Sequence, residues 1–257
     1  MGEYSSVSIE GRVTIVTIER PEVMNALHAP AHFELGEVFD NFANDPEQWI
    51  AIITGAGDRA FSAGNDLKHQ AAGGKRGTPA SGFAGLTSRF DNVKPIIAAV
   101  NGVSMGGGFE IALACDLIIA AENAVFALPE PRVGLAALAG GVHRLPREIG
   151  MKQALGMMLT GRRVSAQEGK ELGFVNEVVP IGQALVAAKA WANQILECAP
   201  LSVRGSKQAA MQGMEAASLE AAMRGTYDQI ERMVRGVDFV EGPLAFSEKR
   251  PPNWKGE

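Results

Sequence analysis

The stretch Asn101 to Asp116, NGVSMGGGFEIALACD, constrains the fold more than any other part of the chain. Its three successive glycines, Gly106 to Gly108, bring no side chain to pack and suit backbone that takes unusual angles or approaches a neighbour closely. The residues that follow, FEIALAC, are apolar on every face of a helix except at Glu110. A helix that is apolar all round is a buried one. The chain has ample material to surround it, with 257 residues of which 46% are hydrophobic and 21% charged. Gly107 then sits at the start of a buried helix, where outward N–H groups and the helix dipole favour negative charge. Such a place can hold an oxyanion; a tight strand-to-helix turn without a ligand is the alternative. Glu110 adds weight to the first reading. A buried carboxylate is costly and its pKa tends to rise, which marks it as a functional candidate or as the partner of a structural arginine.

Around this segment strands alternate with helices. Residues 13–18, VTIVTI, read as a strand. Residues 29–43 have helical spacing, and 50–54 form a buried strand followed by a turn at 55–58. Residues 61–66 are small, and LKHQ then begins a helix. Residues 71–82, rich in Gly, Ala, Ser and Pro, read as a surface loop. Further strands are predicted at 95–100, 116–120, 124–128 and 174–179. Helix dominates from Arg147, with Ser165 to Glu168 as a capping box. Three or four helices are expected over 181–249. The layout is an α/β core over residues 1–180 followed by a helical region over 181–257.

Two further segments are candidates for chemistry. Glu130 lies between Pro129 and Pro131, which are expected to hold the chain extended and rigid and to exclude a helix there. Its alternative is a polar strand end at the surface. In Phe61 to Leu67, FSAGNDL, small residues leave backbone N–H groups free to donate, unless the segment is a plain connection. A rival motif is the G-x-S-x-G of Gly102 to Gly106, which would make Ser104 a hydrolase nucleophile with His143 as its base. Several classes are disfavoured. The net charge of −5 argues against a phosphate-gripping nucleic-acid binder. Cys115 and Cys198 form neither a disulfide framework nor a CxxC pair. His28, His32, His69 and His143 form no zinc pattern, and no metal is expected. No run is long and apolar enough to span a bilayer, the N-terminus lacks a secretory pattern, and the cytoplasm is the expected location.

Taken together, the segments resemble the enoyl-CoA hydratase/isomerase (crotonase) superfamily. The marks are ERPEVMNAL (Glu19 to Leu27), FSAGNDL, the glycine-rich stretch, FALPE (Phe126 to Glu130), GGVHRLPR, LTGRRVSAQE and EGPLAFSEKRPP. The resemblance implies a spiral of ββα turns with a C-terminal helical trimerisation region, assembled as a homotrimer or a dimer of trimers. It implies an acyl-CoA substrate, with coenzyme A as part of that substrate and no separate cofactor. The thioester oxygen would accept from the N–H groups of Ala63 and Gly107. Glu110 would position and activate water, and Glu130 would exchange the α-proton. Met24, Asn25, Ala26, Leu27, Ser62, Gly64, Asp66, Leu67, Lys68 and Gly106 would bind the CoA thioester, with Phe246 and Lys249 reaching the CoA of a neighbouring subunit. The implied reaction is reversible syn addition of water to a 2-enoyl-CoA. GFAGLT and EGPLAFSEKRPPNWKG also resemble carnitinyl-CoA dehydratases, and isomerisation is a third possibility within the family. A CoA- or RNA-binding relative without turnover stands outside these readings. Ala137 and Leu138 stand where a Pro, often followed by an Asp, is usual; Asn65 replaces a commoner small apolar residue.

Overall fold

The computed structural model describes residues 2–257. It falls into two compact units, one made of the residues up to Phe90 with Ile96–Ala190, the other of Asp91–Pro95 with Trp191–Glu257.

The first unit is built on two sheets. Strands β1 (Ser5–Glu10), β2 (Val13–Ile18), β3 (Ile50–Gly55), β5 (Ile96–Val100), β7 (Leu117–Ala121) and β10 (Glu177–Val179) form the larger sheet in the order β1-β2-β3-β5-β7-β10. Only the β1–β2 hairpin is antiparallel; the other pairs are parallel, with Val13 opposite Ile50, Ala51 opposite Ile96 and Ile97 opposite Leu117. The central runs IAIITG and IIAAV are buried throughout, as strands covered on both faces must be. The smaller sheet takes β4 (Ala60–Ser62), β6 (Val103–Met105), β8 (Val125–Ala127) and β9 (Val164–Ser165) in the order β4-β6-β8-β9. After the β1–β2 hairpin and α1, three successive circuits each lay one strand in the larger sheet and one in the smaller before turning through a helix. The helices α1 (Ala29–Asn44), α2 (Leu67–Ala71), α3 (Gly107–Ala114), α4 (Gly141–Ile149), α5 (Met151–Thr160) and α6 (Ala166–Leu172) complete this ββα spiral.

Three rings tie the spiral together. Phe109 on α3, Phe126 on β8 and Phe174 before β10 stand with ring centroids 5.0 to 5.2 Å apart. Each such pair contributes about 0.5–1.5 kcal/mol beyond area burial. The cluster also fixes α3 against β8, the two elements that carry Glu110 and lead to Glu130.

Several sequence expectations need correction. The chain at Glu130 is not extended: Glu130–Val133 form a 3-10 turn, with Pro129 at φ −83° and ψ 6°. Proline is tolerated in a first helical turn because its missing N–H would have no partner there. Helix α4 begins at Gly141, before Arg147, and carries Pro146 inside it. The strand expected over 174–179 is confined to Glu177–Val179. Ser165 does cap α6 by accepting from the Glu168 N–H, but the Glu168 carboxylate turns to Arg162.

From residue 184 five helices follow instead of three or four: α7 (Ala184–Leu196), α8 (Pro200–Gly213), α9 (Leu219–Arg224), α10 (Asp228–Arg235) and α11 (Asp238–Glu248). Within the second unit Asp238 accepts the N–H groups of Lys255 and Gly256, and Arg250 grips Glu241 with two parallel hydrogen bonds.

Candidate active site

Helix α3 begins at the point where two segments of backbone nearly touch. Gly106 caps it at φ 53°, a region that costs other residues strain. At Gly108 a Cβ would fall 2.0 Å from the carbonyl oxygen of Ser62, so only glycine lets β4 and α3 approach this closely. The N–H of Gly107, in the first helical turn, has no hydrogen-bond partner within the described residues. The ring of Phe83 lies over the same residue, 2.5 Å from where a Cβ would stand.

Glu110 comes one turn later and is 3% exposed. Its Oε1 accepts the N–H of Gly141 at 2.9 Å. Burial pushes its pKa up to about 7, the neighbouring Glu130 charge pushes the same way, and the N–H groups of Gly141 and Ala139 and the charge of Arg144 oppose them. Glu130 enters from β8 through the 3-10 turn. Burial raises its pKa too, and its buried Oε2 has no hydrogen-bond partner. Both carboxylates line one cavity of about 300 Å³ together with Gly107. Two acids of this kind, placed in one desolvated space, are equipped to take one proton and give another.

The other expected donor is corrected by the structure. The N–H of Ala63 is committed to the carbonyl of Met24 at 2.9 Å, and Ala63 does not line the cavity. The free donor on this side is Asn65, which does line it. Asn65 pairs with Leu27 in an isolated parallel bridge, held by the Leu27 N–H to Gly64 and the Asp66 N–H to Leu27. That bridge leaves the Asn65 N–H unused, while its side chain is bonded to Gln70. A Cβ on the preceding Gly64 would lie 2.8 Å from the Gly107 nitrogen, which places the two backbone segments side by side. The Arg20 guanidinium anchors the far end through Asp66 at 3.0 Å, and Asp66 also accepts the His69 N–H to cap α2. Burial alone would raise the Asp66 pKa; the His69 N–H and Arg20 outweigh it and hold the carboxyl below its ordinary value.

Of the residues expected around the thioester, the cavity gathers Glu110, Glu130, Gly107 and Asp66. Burial removes three others from direct contact. Asn25, Leu27 and Ser62 are each 0% exposed. Asn25 spends its side chain on Arg20, Ala56 and Ala60, and Ser62 donates to the Asn25 carbonyl. Their work is to hold the segment after β4 that carries Asn65. Ala26 is buried, as are Gly64 and Gly106, whereas Leu67 and Lys68 are exposed and Met24 is half-buried. Phe246 and Lys249 belong to the second unit, with Phe246 87% exposed.

Sequence reasoning missed other members of the site. His28, His32 and His69 all line the cavity, joined by Phe83. Burial lowers the pKa of His28, helped by the charges of Arg20 and His69, and brings that of His32 down to about 4, so both are neutral at pH 7. Among the described residues no His, Cys, Asp and Glu cluster is arranged to hold a metal. The signal for His28 and His32 lay in their spacing, one turn apart at the start of α1. The signal for Asn65 was its place after Gly64 between a strand and a helix.

The G-x-S-x-G motif has no catalytic geometry. Ser104 is 0% exposed within β6, and its Oγ has no hydrogen-bond partner. The strand, not a sharp turn, carries it.

Comparison with known proteins adds the following. The sequence model of the Enoyl-CoA hydratase/isomerase family matches residues 8–257. A carnitinyl-CoA dehydratase from Proteus mirabilis is 44% identical over 261 residues, covering 100% of both chains. The crystal structure of an enoyl-CoA hydratase from Mycobacterium tuberculosis superposes with a TM-score of 0.92 at 36% identity over 100% of each chain. That of a carnitinyl-CoA hydratase from Mycobacterium avium does so with a TM-score of 0.80 at 41% identity, again over 100% of each chain.

Proposed function

The chain belongs to the enoyl-CoA hydratase/isomerase family, and from that premise we propose that it catalyses the reversible syn addition of water to a 2-enoyl-CoA thioester. The observation that carries this reading is the meeting of Glu110, Glu130 and two unused N–H groups, those of Gly107 and Asn65, in one cavity. The thioester oxygen accepts from both N–H groups. Water attacks Cβ, the alkene electrons move towards the carbonyl, and the oxygen gains negative charge as an enolate forms. A preorganised donor of this sort is typically worth about 3–4 kcal/mol. Glu110, fixed by Gly141, takes the proton that water releases. Glu130 delivers a proton to Cα, so the pair ends with as many protons as it began. A single-carboxylate site would favour moving a proton along the acyl chain, and the presence of two carboxylates supports hydration over isomerisation.

Carnitinyl-CoA dehydration is the second reading, favoured by the names of relatives such as that of Proteus mirabilis. It uses the same chemistry on an acyl group bearing a trimethylammonium. Such groups are held by aromatic faces or carboxylates. Here Phe83 is the one phenyl ring on the cavity, and Lys75 and Arg76 border it, which supports the plain enoyl reading. Loss of the enoyl absorbance with crotonyl-CoA tests the proposal. No turnover of crotonyl-CoA with ready dehydration of carnitinyl-CoA would reverse the order of the two.

In this reading coenzyme A arrives as part of the substrate and no further cofactor is required. Met24, Leu67 and Lys68 remain available to it, and Phe246 and Lys249 of one subunit reach the CoA of another within a homotrimer or a dimer of trimers. No nucleic acid or membrane partner is needed. No helix among the described residues is long and apolar enough to cross a membrane, and the cytoplasm remains the proposed location.

A further inference from the structure

We propose that the acyl end of this cavity selects an enoyl-CoA whose acyl chain ends in a carboxylate, with Lys75 and Arg76 as the specificity-determining residues. The proposal rests on the hydratase reading for the reacting end and adds the chemistry of the other end. Besides the two glutamates, the cavity is lined by Lys75, Arg76, Gly77 and Thr78, from the segment after α2. Of the residues that the resemblance places at the CoA entrance, Met24 to Leu27 and Asp66 to Lys68, Asp66 alone lines it. The proposal assigns the 75–78 segment to the acyl chain on this ground.

The charges there are unbalanced. Both cations are exposed, and no salt bridge among the described residues involves either. The third carboxylate on the lining, Asp66, is already neutralised by Arg20. His28 and His32 carry no charge at pH 7, since burial depresses both. Two further polar atoms in the wall, His28 Nδ1 and His69 Nε2, also have no hydrogen-bond partner in the protein. The same lining includes the apolar side chains of Leu135, Ala136, Leu138 and Ala139. An acyl chain with a short hydrocarbon stem and an anionic end meets both kinds of group. A carboxylate suits a guanidinium particularly well, because the two planar groups can pair through two hydrogen bonds.

Three thioesters with the same reacting end test this: 4-carboxybut-2-enoyl-CoA, its uncharged isostere 5-methylhex-2-enoyl-CoA, and 4-trimethylammoniobut-2-enoyl-CoA. The protein should prefer the carboxylate to the isostere by about tenfold or more in kcat/KM, the equivalent of one charge-assisted contact, and the cationic thioester should rank last. In the double variant Lys75→Ala/Arg76→Ala the ratio of carboxylate to isostere should fall to near one. An equal loss for all three thioesters would overturn the proposal and put the two cations on the CoA phosphates. Absence of any preference in the unaltered protein, or preference for the cationic chain, would overturn it as well. Calorimetric binding of the three saturated thioesters gives the same ranking without turnover, so failure of the hydratase reading would not be mistaken for failure of this one.

Discussion

Glu110 shows how the site and the stability of the protein are coupled through one side chain. Its pKa in the fold is about 7, against an ordinary 4.5. Between these values the folded protein holds a proton that the unfolded chain has released, so stability falls as pH rises through that window. The full span of the shift is worth about 3 kcal/mol. Glu110→Gln keeps the acceptor for Gly141 and removes the charge. The variant should therefore gain stability over the parent, by up to about 3 kcal/mol at pH 8 and much less at pH 4, as read by urea denaturation. A gain independent of pH would mean that the Glu110 carboxyl is not perturbed by burial. The sequence alone made Glu110 visible, because one acid in FEIALAC has no polar face to share. The resemblance named Ala63 as the second donor, and nothing in the sequence pattern favoured Asn65 in its place. Both follow β4 in small, glycine-containing backbone, and the choice turns on a hydrogen bond from Ala63 to Met24, far away in sequence.

At the scale of elements, the donor pair is made by the segment that follows β4 and the start of α3, with Gly108 allowing the close approach of Ser62. Because the backbone of Asn65 does the work, Asn65→Ala should keep turnover within about tenfold. Asn65→Pro removes the N–H and should lower turnover by about 10²-fold or more while thioester binding survives. Unchanged turnover in a folded Asn65→Pro protein would move the oxyanion elsewhere. The long buried strands were legible because parallel strands covered on both faces read as unbroken apolar runs, as in IIAAV. In the smaller sheet β8 was read at 124–128, but the other three strands were not. β4, β6 and β9 span two or three residues each, and β6 is interrupted in pattern by Ser104. Pro129 and Pro131 misled for a related reason: their φ fits a 3-10 turn as well as an extended chain.

For the whole molecule, the alternation of strands and helices disclosed the α/β core, and the family resemblance supplied the spiral that pattern alone does not specify. The helical region was recognised but under-counted, because short breaks near Gly213, Gly225 and Gly236 interrupt one apolar periodicity. That region leaves Met214, Leu219, Met223 and Phe246 each at least 77% exposed. Such side chains are available to the subunit contacts of the proposed assembly. Light scattering on the intact chain should accordingly find a trimer or a hexamer; a stable, active monomer would refute the proposed assembly. The central claim is that two glutamates in one cavity perform hydration. It is tested most directly by following crotonyl-CoA absorbance with the parent, Glu110→Gln and Glu130→Gln, with thioester binding measured alongside. The parent should hydrate the substrate, and each variant should bind it yet lose at least about 10²-fold in turnover. Near-native turnover in either variant, or none in the parent, would contradict the account.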